Sequence, residues 1–285
     1  MVWIRVLVDL LLILFGTVIV VGFLALKPTR MLTRLKPEDL GLPSHQVTFG
    51  TRDGKNLKGW LIPAEKSQGV IICCHGYPAN KSDILPVVSF LYPDFTLFLF
   101  DFRAHGESQG FITTFGLREV WDLEAAIAYL KGAPTTKEKP IGIWGYSLGG
   151  AVGILTAARH PEIKALVSES AFANFPEMVT QYFKSLGPLK YIFSWLSRFL
   201  GKVLFRMDYI ENSPEFHIGK VRAAVLFIHS RTDELIPISH ARRLYQNANS
   251  PKELWEVGGT HTSLDQAYGS AYQTKVKAWF ERYLR

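Results

Sequence analysis

Short apolar runs and helix-like segments alternate along this 285-residue chain from about residue 65 onward. Residues 70–74, 141–144 and 165–168 are nearly continuous apolar runs of strand length, whereas residues 116–131 place apolar side chains at helical spacing. Strands that are covered on both faces read as continuous apolar runs. The alternation therefore predicts an α/β domain built on a doubly wound sheet with helices on its faces.

Before this alternating region, the chain carries the pair Asp53-Gly54 between two strand-like segments. An Asp-Gly pair is typical of a tight hairpin turn, because that turn needs a positive φ at its central residues. We therefore expect the domain to open with antiparallel strands.

A G-x-S-x-G motif occupies residues 145–149, directly after the apolar run 141–144 and just before the helix-like residues 151–159. This order of strand, motif and helix is typical of a nucleophile elbow, a sharp turn that lifts the serine hydroxyl above the sheet. Ser147 is therefore the candidate nucleophile. The N–H of Leu148 is expected to point at the same place and to stabilise an oxyanion there.

Two further strand-like runs each end in a loop that carries a candidate catalytic side chain. Residues 223–229 precede Asp233, and residues 253–257 precede His261. A serine hydroxyl needs an adjacent imidazole to take its proton, and an acid to hold the tautomer of that imidazole. Because open α/β sheets place their sites at the carboxyl ends of strands, His261 is the expected base and Asp233 the expected acid. Glu234 is the alternative acid if the loop is shifted by one residue.

The second oxyanion donor is expected in the loop after residues 70–74, which reads His75-Gly76-Tyr77-Pro78. Pro78 has no N–H to donate. Tyr77 is therefore the favoured donor and Gly76 the alternative, while His75 is expected to orient the loop rather than to catalyse.

The remaining candidate ligands and nucleophiles are interpreted as structural. His105 is expected to shape its loop, and His229, at the end of a strand, to be buried and hydrogen-bonded. Cys73 and Cys74 are neighbours in one apolar strand, so their side chains point to opposite faces of the sheet. They are expected to be packing thiols, neither a disulfide nor metal ligands, and the chemistry requires no metal or other cofactor.

The N-terminus is a separate feature: residues 6–26 are almost wholly apolar and would form a helix of about 31 Å, enough to cross a bilayer. Asp9 is the exception, and Arg5 lies one helical turn away, where an ion pair lowers the cost of burying a charge. The alternative is a cleaved secretory signal, but no small-x-small site ends the run. The sequence favours an uncleaved anchor with its basic flank, residues 1–36, followed by the catalytic domain, residues 37–285.

Charge gives the expected orientation of this single-pass membrane protein. The basic residues that follow the apolar run outnumber those that precede it, and they are Lys27, Arg30, Arg34 and Lys36. The positive-inside rule then places the catalytic domain on the cytoplasmic side. The basic flank is also expected to be attracted to anionic headgroups. The net charge of +7 requires no nucleic-acid partner, and no basic-aromatic motif indicates one.

The chain resembles the α/β-hydrolase superfamily, in the branch that holds serine aminopeptidase-like, monoglyceride-lipase-like and membrane-anchored acyl-hydrolase proteins. The residues that carry the resemblance are 51–60, His75-Gly76-Tyr77, 101–108, 145–149, Asp233 and 259–261. One departure is Ala104, where relatives usually carry glycine. The resemblance implies a mostly parallel eight-stranded sheet with helices on both faces, and hydrolysis of an ester, thioester or amide.

Residues 172–218 form an insertion between two predicted strands, and in this fold such an insertion usually forms a helical cap over the serine. The segment is rich in aromatic and aliphatic side chains, which suits an apolar acyl chain, although packing of the cap onto the core explains most of them. The acidic residues of the insertion favour instead a substrate with a peptide amino terminus, which they could bind. These residues are Glu177, Asp208, Glu211 and Glu215.

The sequence therefore predicts a membrane-anchored serine hydrolase that acts on an acyl ester or thioester, a lipid or another acylated molecule. An aminopeptidase-like amidase is the alternative enzyme. A non-catalytic ligand-binding member of the fold is a third possibility, although a binding module has no need for a complete set of serine, acid and histidine.

Overall fold

The structure is a computed structural model that describes residues 2–206, 208–261 and 264–284. Eight strands form one sheet, and they are β1 His45–Gly50, β2 Asn56–Ile62, β3 Val70–Cys74, β4 Thr96–Phe100, β5 Ile141–Tyr146, β6 Ile163–Glu169, β7 Ala224–Ser230 and β8 Lys252–Val257. The helices are α1 Val2–Leu26, α2 Lys81–Val88, α3 Glu119–Gly132, α4 Leu148–Ala157, α5 Phe175–Tyr182, α6 Lys190–Phe205, α7 Ser239–Asn247 and α8 Leu264–Tyr283.

The strands lie in the order β1-β2-β4-β3-β5-β6-β7-β8. The pairs β1–β2 and β2–β4 are antiparallel, and all the others are parallel. The predicted sheet, mostly parallel and opening with antiparallel strands, is confirmed. The parallel strands inside the sheet, β3 to β7, are almost wholly buried, as expected for strands with helices on both sides, whereas the edge strand β8 is mostly half-buried.

Helices cover both faces of the sheet and divide the apolar core into two layers. Apolar residues of α3, α4 and α7 pack on one face, and those of α2 and α8 pack on the other. Cys73 belongs to one layer and Cys74 to the other, and both thiols are free and buried. Burial raises the pKa of each thiol, so these side chains are inert packing groups, as the sequence predicted.

Helix α3 begins at Glu119, three residues after the start that apolar spacing predicts. The buried carboxylate of Glu119 accepts hydrogen bonds from the Thr114 and Gly116 N–H groups, both at 2.8 Å, and from the Thr113 hydroxyl at 3.0 Å. These bonds hold the preceding residues in a loop, in which Gly116 has a φ of 119°. The carboxylate competes with the helix for the local N–H groups, and the first turn is lost.

The insertion between β6 and β7 contains α5 and α6, which lie over the carboxyl ends of the parallel strands and above Ser147. The Asn174 side chain accepts a hydrogen bond from the Glu177 N–H at 3.0 Å and so caps the start of α5. The insertion is thus a helical cap over the serine, in agreement with the predicted fold.

Helix α1 leaves most of its side chains exposed, and Val2–Leu24 is long and apolar enough to cross a bilayer. The segment after it is fastened to the catalytic domain. The Arg30 guanidinium donates to the carbonyl oxygens of Gly106, Ser108 and Gly110 at 2.8 to 2.9 Å. The boundary between residues 36 and 37 stays a prediction, but the two parts are in contact.

Candidate active site

Ser147 lies on the sharp turn between β5 and α4, with a φ of 52° and a ψ of −111°. A positive φ is strained for a residue with a side chain. The glycines of the motif make the turn possible, because a Cβ at Gly145 would overlap the backbone of Gly149, and one at Gly149 would overlap that of Cys74. The Ser147 N–H donates to the Glu169 carbonyl at 2.8 Å. The predicted elbow geometry is present.

The three predicted catalytic side chains form one hydrogen-bonded row. His261 Nε2 lies 3.2 Å from Ser147 Oγ, and His261 Nδ1 lies 2.6 Å from Asp233 Oδ2. The carboxylate accepts only, so the proton sits on Nδ1 and leaves Nε2 free to accept from the serine. The Tyr146 hydroxyl donates to the His261 carbonyl at 3.1 Å and steadies the loop.

The loop that carries Asp233 is held by its own hydrogen bonds. Asp233 Oδ1 accepts from the N–H groups of Leu235 at 2.9 Å and Ile236 at 2.7 Å. Burial opposes ionisation of the carboxyl, but the hydrogen bonds from His261 and Ile236 outweigh it and hold the pKa of Asp233 below its usual value. The acid is therefore ionised at neutral pH.

His229 is a supporting residue that sequence reasoning gave no place in the site. Its Nε2 donates to the Ile236 carbonyl at 2.7 Å and lies 3.4 Å from Asp233 Oδ2. Burial lowers the pKa of His229, so a neutral imidazole clamps the acid loop. The only signal in the sequence was a histidine at the end of the strand that precedes Asp233.

Glu234, the alternative acid, has a different environment. Its carboxylate accepts from the backbone N–H of His261 at 3.3 Å, whereas the imidazole bonds to Asp233. The Glu234 carbonyl accepts from Lys184 Nζ at 2.6 Å. The structure therefore places Asp233, and not Glu234, in line with the imidazole.

Both predicted oxyanion donors lie beside the serine. Leu148 is the first residue of α4, so its N–H has no acceptor within the helix. Tyr77 and Leu148 line the same cavity as Ser147. A Cβ at Gly76 would lie 3.2 Å from Ser147 Cβ, so the loop that holds Gly76 and Tyr77 passes directly against the serine.

Two buried histidines shape the loops around this point. His75 Nε2 accepts from the Phe102 N–H at 3.0 Å, so its proton lies on Nδ1, which donates to the Gly76 carbonyl at 2.7 Å. His105 Nδ1 lies 2.8 Å from the Arg103 carbonyl. Burial lowers the pKa of both His75 and His105. Both imidazoles are neutral and structural, as the sequence predicted.

A cavity of about 370 Å³ opens above Ser147. Its walls are mainly apolar side chains of the cap, among them Phe175, Met178 and Val179 of α5. Residues of α1 also line it, which the sequence did not indicate. Ser147 lines this cavity, so its hydroxyl borders a space that suits an apolar group.

Comparison with known proteins agrees with this geometry. Residues 69–200 match the alpha/beta hydrolase fold family. The Bacillus subtilis protein YqkD is 32% identical over 210 residues, which cover 71% of this chain and 67% of YqkD. This chain belongs to the α/β-hydrolase family.

A solved structure and a further relative narrow the comparison within this family. The Pyrococcus furiosus esterase Pf2001 superposes with a TM-score of 0.78 and 26% sequence identity, over 92% of this chain and 99% of the esterase. That similarity supports a hydrolase activity. The Saccharomyces cerevisiae membrane protein YNL320W is 25% identical over 232 residues, which cover 79% of this chain and 76% of the yeast protein.

A buried histidine at the base of the cap predicts sensitivity to acid. Burial lowers the pKa of His240 to about 4, and its Nδ1 accepts from the Ala173 N–H at 3.1 Å. The unfolded chain, with a histidine pKa near 6.5, binds the proton first. The stabilisation that the folded chain gains from a neutral His240 is therefore complete above about pH 6.5. It is lost as pH falls toward 4, which lowers the free energy of unfolding by up to about 3 kcal/mol.

We expect His240→Gln to flatten the pH dependence of the free energy of unfolding between pH 6.5 and 4.5, measured by urea titration in detergent. His45→Gln, at an exposed histidine, is the matched control for loss of an imidazole. Equal slopes in wild type and His240→Gln would contradict the assignment.

Proposed function

We propose that this protein is a membrane-anchored serine hydrolase that cleaves an acyl ester or thioester of a lipid or an acylated molecule. The observation that carries the proposal is the hydrogen-bonded row Ser147–His261–Asp233, whose serine lines an apolar cavity. The elbow, the row and the cavity together provide a nucleophile, a base, an acid and a place for the acyl chain.

The reaction proceeds through an acyl-enzyme on Ser147. His261 Nε2 takes the hydroxyl proton while Ser147 Oγ attacks the acyl carbonyl, and Asp233 stabilises the imidazolium. The N–H groups of Leu148 and Tyr77 stabilise the oxyanion. The tetrahedral intermediate then collapses, and the alcohol or thiol leaves with the proton from His261. Water, deprotonated by the same imidazole, attacks the acyl-enzyme, releases the acid and restores the serine.

The alternative of an aminopeptidase-like amidase depends on the acidic residues of the cap. The contacts of these residues favour ester or thioester hydrolysis instead. Glu177 and Glu215 both face the Arg243 guanidinium, at 2.6 and 3.6 Å. Asp208 accepts from the Glu211 N–H at 3.1 Å. None of these four acids is among the described residues that line the cavity. A peptide amino terminus would meet apolar side chains there.

We also propose that α1 spans the bilayer once, with the catalytic domain on the cytoplasmic side. The basic residues after α1 support this orientation, since cytoplasmic flanks carry the excess of lysine and arginine. Protease added to the outside of intact cells should leave the catalytic domain uncleaved, and cleavage under those conditions would reverse the orientation.

The activity is tested on the purified full-length protein in detergent. We expect labelling by a fluorophosphonate probe and hydrolysis of p-nitrophenyl esters or acyl thioesters, with aminoacyl p-nitroanilides turned over far more slowly. Preferential cleavage of the anilides would favour the aminopeptidase-like alternative. A protein that is folded but unlabelled and inactive would favour the ligand-binding alternative.

A further inference from the structure

The last two turns of α1 form one wall of the cavity above Ser147. The α1 residues that line it are Ile19, Gly22, Phe23 and Leu26. Their spacing, i, i+3, i+4 and i+7, puts them on one face of the helix. At 1.5 Å per residue this face runs along about 10 Å of the cavity. The helix is therefore part of the cavity and not only a tether.

Helix α6 forms the neighbouring wall and approaches α1 closely. A Cβ at Gly22 would lie 3.9 Å from Ser197 Oγ, and Ser197 also lines the cavity. Val21 packs against a small apolar cluster of the cap that includes Phe193 and Leu200. Small residues such as Gly22 and Ser197 allow two helices to come this near, as they do inside membranes.

The opposite face of α6 is apolar and exposed. Tyr191, Trp195, Phe199 and Val203 form a stripe with a spacing of four residues, and their exposed fractions run from 49% to 64%. Monomeric soluble proteins rarely expose a contiguous apolar surface of this kind. The stripe lies on the helix that packs against α1, so it continues the apolar surface of the proposed membrane span.

The charges and aromatic rings around the stripe favour a lipid bilayer as its partner. Lys190 begins α6, and Lys202 and Arg206 lie at its end. A helix with an apolar face that carries Trp and Tyr and with basic residues near its ends typically lies at the membrane interface, where anionic headgroups attract the basic groups.

We infer that the cavity opens sideways into the bilayer between α1 and α6, and that the α6 stripe is buried in the same leaflet. An acyl chain then passes from the leaflet between the two helices to Ser147 without crossing water. We name the contact where this passage takes place the α1–α6 portal, where Gly22 of α1 faces Ser197 of α6 and where Phe23 and Gly201 also line the cavity. Because Gly22 and Ser197 are small, a slight separation of the two helices there admits the chain. The inference rests on the proposed acyl hydrolase function, but its tests can fail separately.

The first test blocks the portal with the substitution Gly22→Phe. A benzyl group at Gly22 would project toward Ser197, which a Cβ at Gly22 would already approach to 3.9 Å, and would obstruct passage between α1 and α6. We therefore expect kcat/KM for long-chain esters to fall at least tenfold relative to short-chain esters. Gly16→Phe is the matched control, because a Cβ at Gly16 meets no atom within 4 Å in the described chain. It makes the same change on the same helix.

The outcomes of this test distinguish the proposed hydrolase function from the α1–α6 portal. Wild type that hydrolyses neither long nor short esters would overturn the proposed function. Wild type that hydrolyses both, with an unchanged long-to-short ratio in Gly22→Phe, would overturn the portal and keep the function. An equal shift in Gly16→Phe would also overturn the portal, because the effect would then belong to the whole helix.

The second test measures whether the α6 stripe lies in the bilayer. It requires no enzyme activity and leaves the cavity unchanged. Phe199→Cys replaces an exposed residue, and both native thiols are buried, so a fluorophore reacts at position 199 alone. In proteoliposomes we expect lipids with spin-labelled acyl chains to quench this fluorophore several-fold more than one at Lys137→Cys. Lys137 is exposed and precedes β5, at the end of the sheet opposite the cavity. Equal quenching at the two positions would show that the stripe lies outside the bilayer and would overturn the inference.

Discussion

Ser147→Ala is expected to lower kcat for ester hydrolysis by roughly 10⁶, the loss that follows removal of the nucleophile in a serine hydrolase, and to abolish fluorophosphonate labelling. The variant keeps the Cβ and removes only the hydroxyl that lies 3.2 Å from His261 Nε2. It therefore leaves the packing of the elbow intact. The thermal midpoint, measured in parallel, should change little.

Ser170 offers a close control for this substitution. It follows β6, it is fully buried, and its φ of 50° nearly matches the 52° of Ser147. Its hydroxyl has no hydrogen-bond partner among the described residues. Ser170→Ala should therefore keep full labelling and activity. If Ser147→Ala were still labelled while it remained folded, the nucleophile would lie elsewhere in the chain.

The parts of the fold that the sequence predicted are those set by local pattern. The runs that became β5, β6 and β7 are largely apolar, and the run that became β8 mixes charged and apolar residues. The ends of all four runs agree with the structure to within two residues. The elbow was predictable because strand, turn and helix are consecutive in the chain. The positions of Asp233 and His261 followed from the rule that sites lie after strands.

What the sequence left open or missed depends on contacts that form only in the folded chain. The choice between Asp233 and Glu234 is made by the register of one loop, which the N–H groups of Leu235 and Ile236 and the imidazole of His229 determine. Neighbouring carboxylates look equivalent in a sequence. These partners act only once the loop has closed.

The contribution of α1 to the cavity was missed for a similar reason. An apolar run predicts a span by its length, but every face of such a helix is apolar, so no periodicity marks the side that meets the cap. The contact depends on α6, more than 160 residues later in the chain. The N-terminal segment was therefore interpreted as an anchor alone, although four of its residues line the cavity.

Asp233→Asn is expected to lower kcat by about 10⁴, the second largest effect. The amide would present an N–H to His261 Nδ1, so the imidazole would carry its proton on Nε2. In that tautomer Nε2 cannot accept the proton of Ser147, although the side chain keeps its shape. The fall should appear in kcat measured with a p-nitrophenyl ester at saturating concentration.

Glu234→Gln is the matched control for this change, at the adjacent residue and with the same loss of one negative charge. Its carboxylate accepts from the His261 backbone N–H, and an amide oxygen can accept that bond equally well. Activity should therefore stay within a few-fold of wild type. If Glu234→Gln lost activity by orders of magnitude while Asp233→Asn kept it, the imidazole would be oriented by Glu234 during catalysis. The loop register seen here would then not be that of the working enzyme.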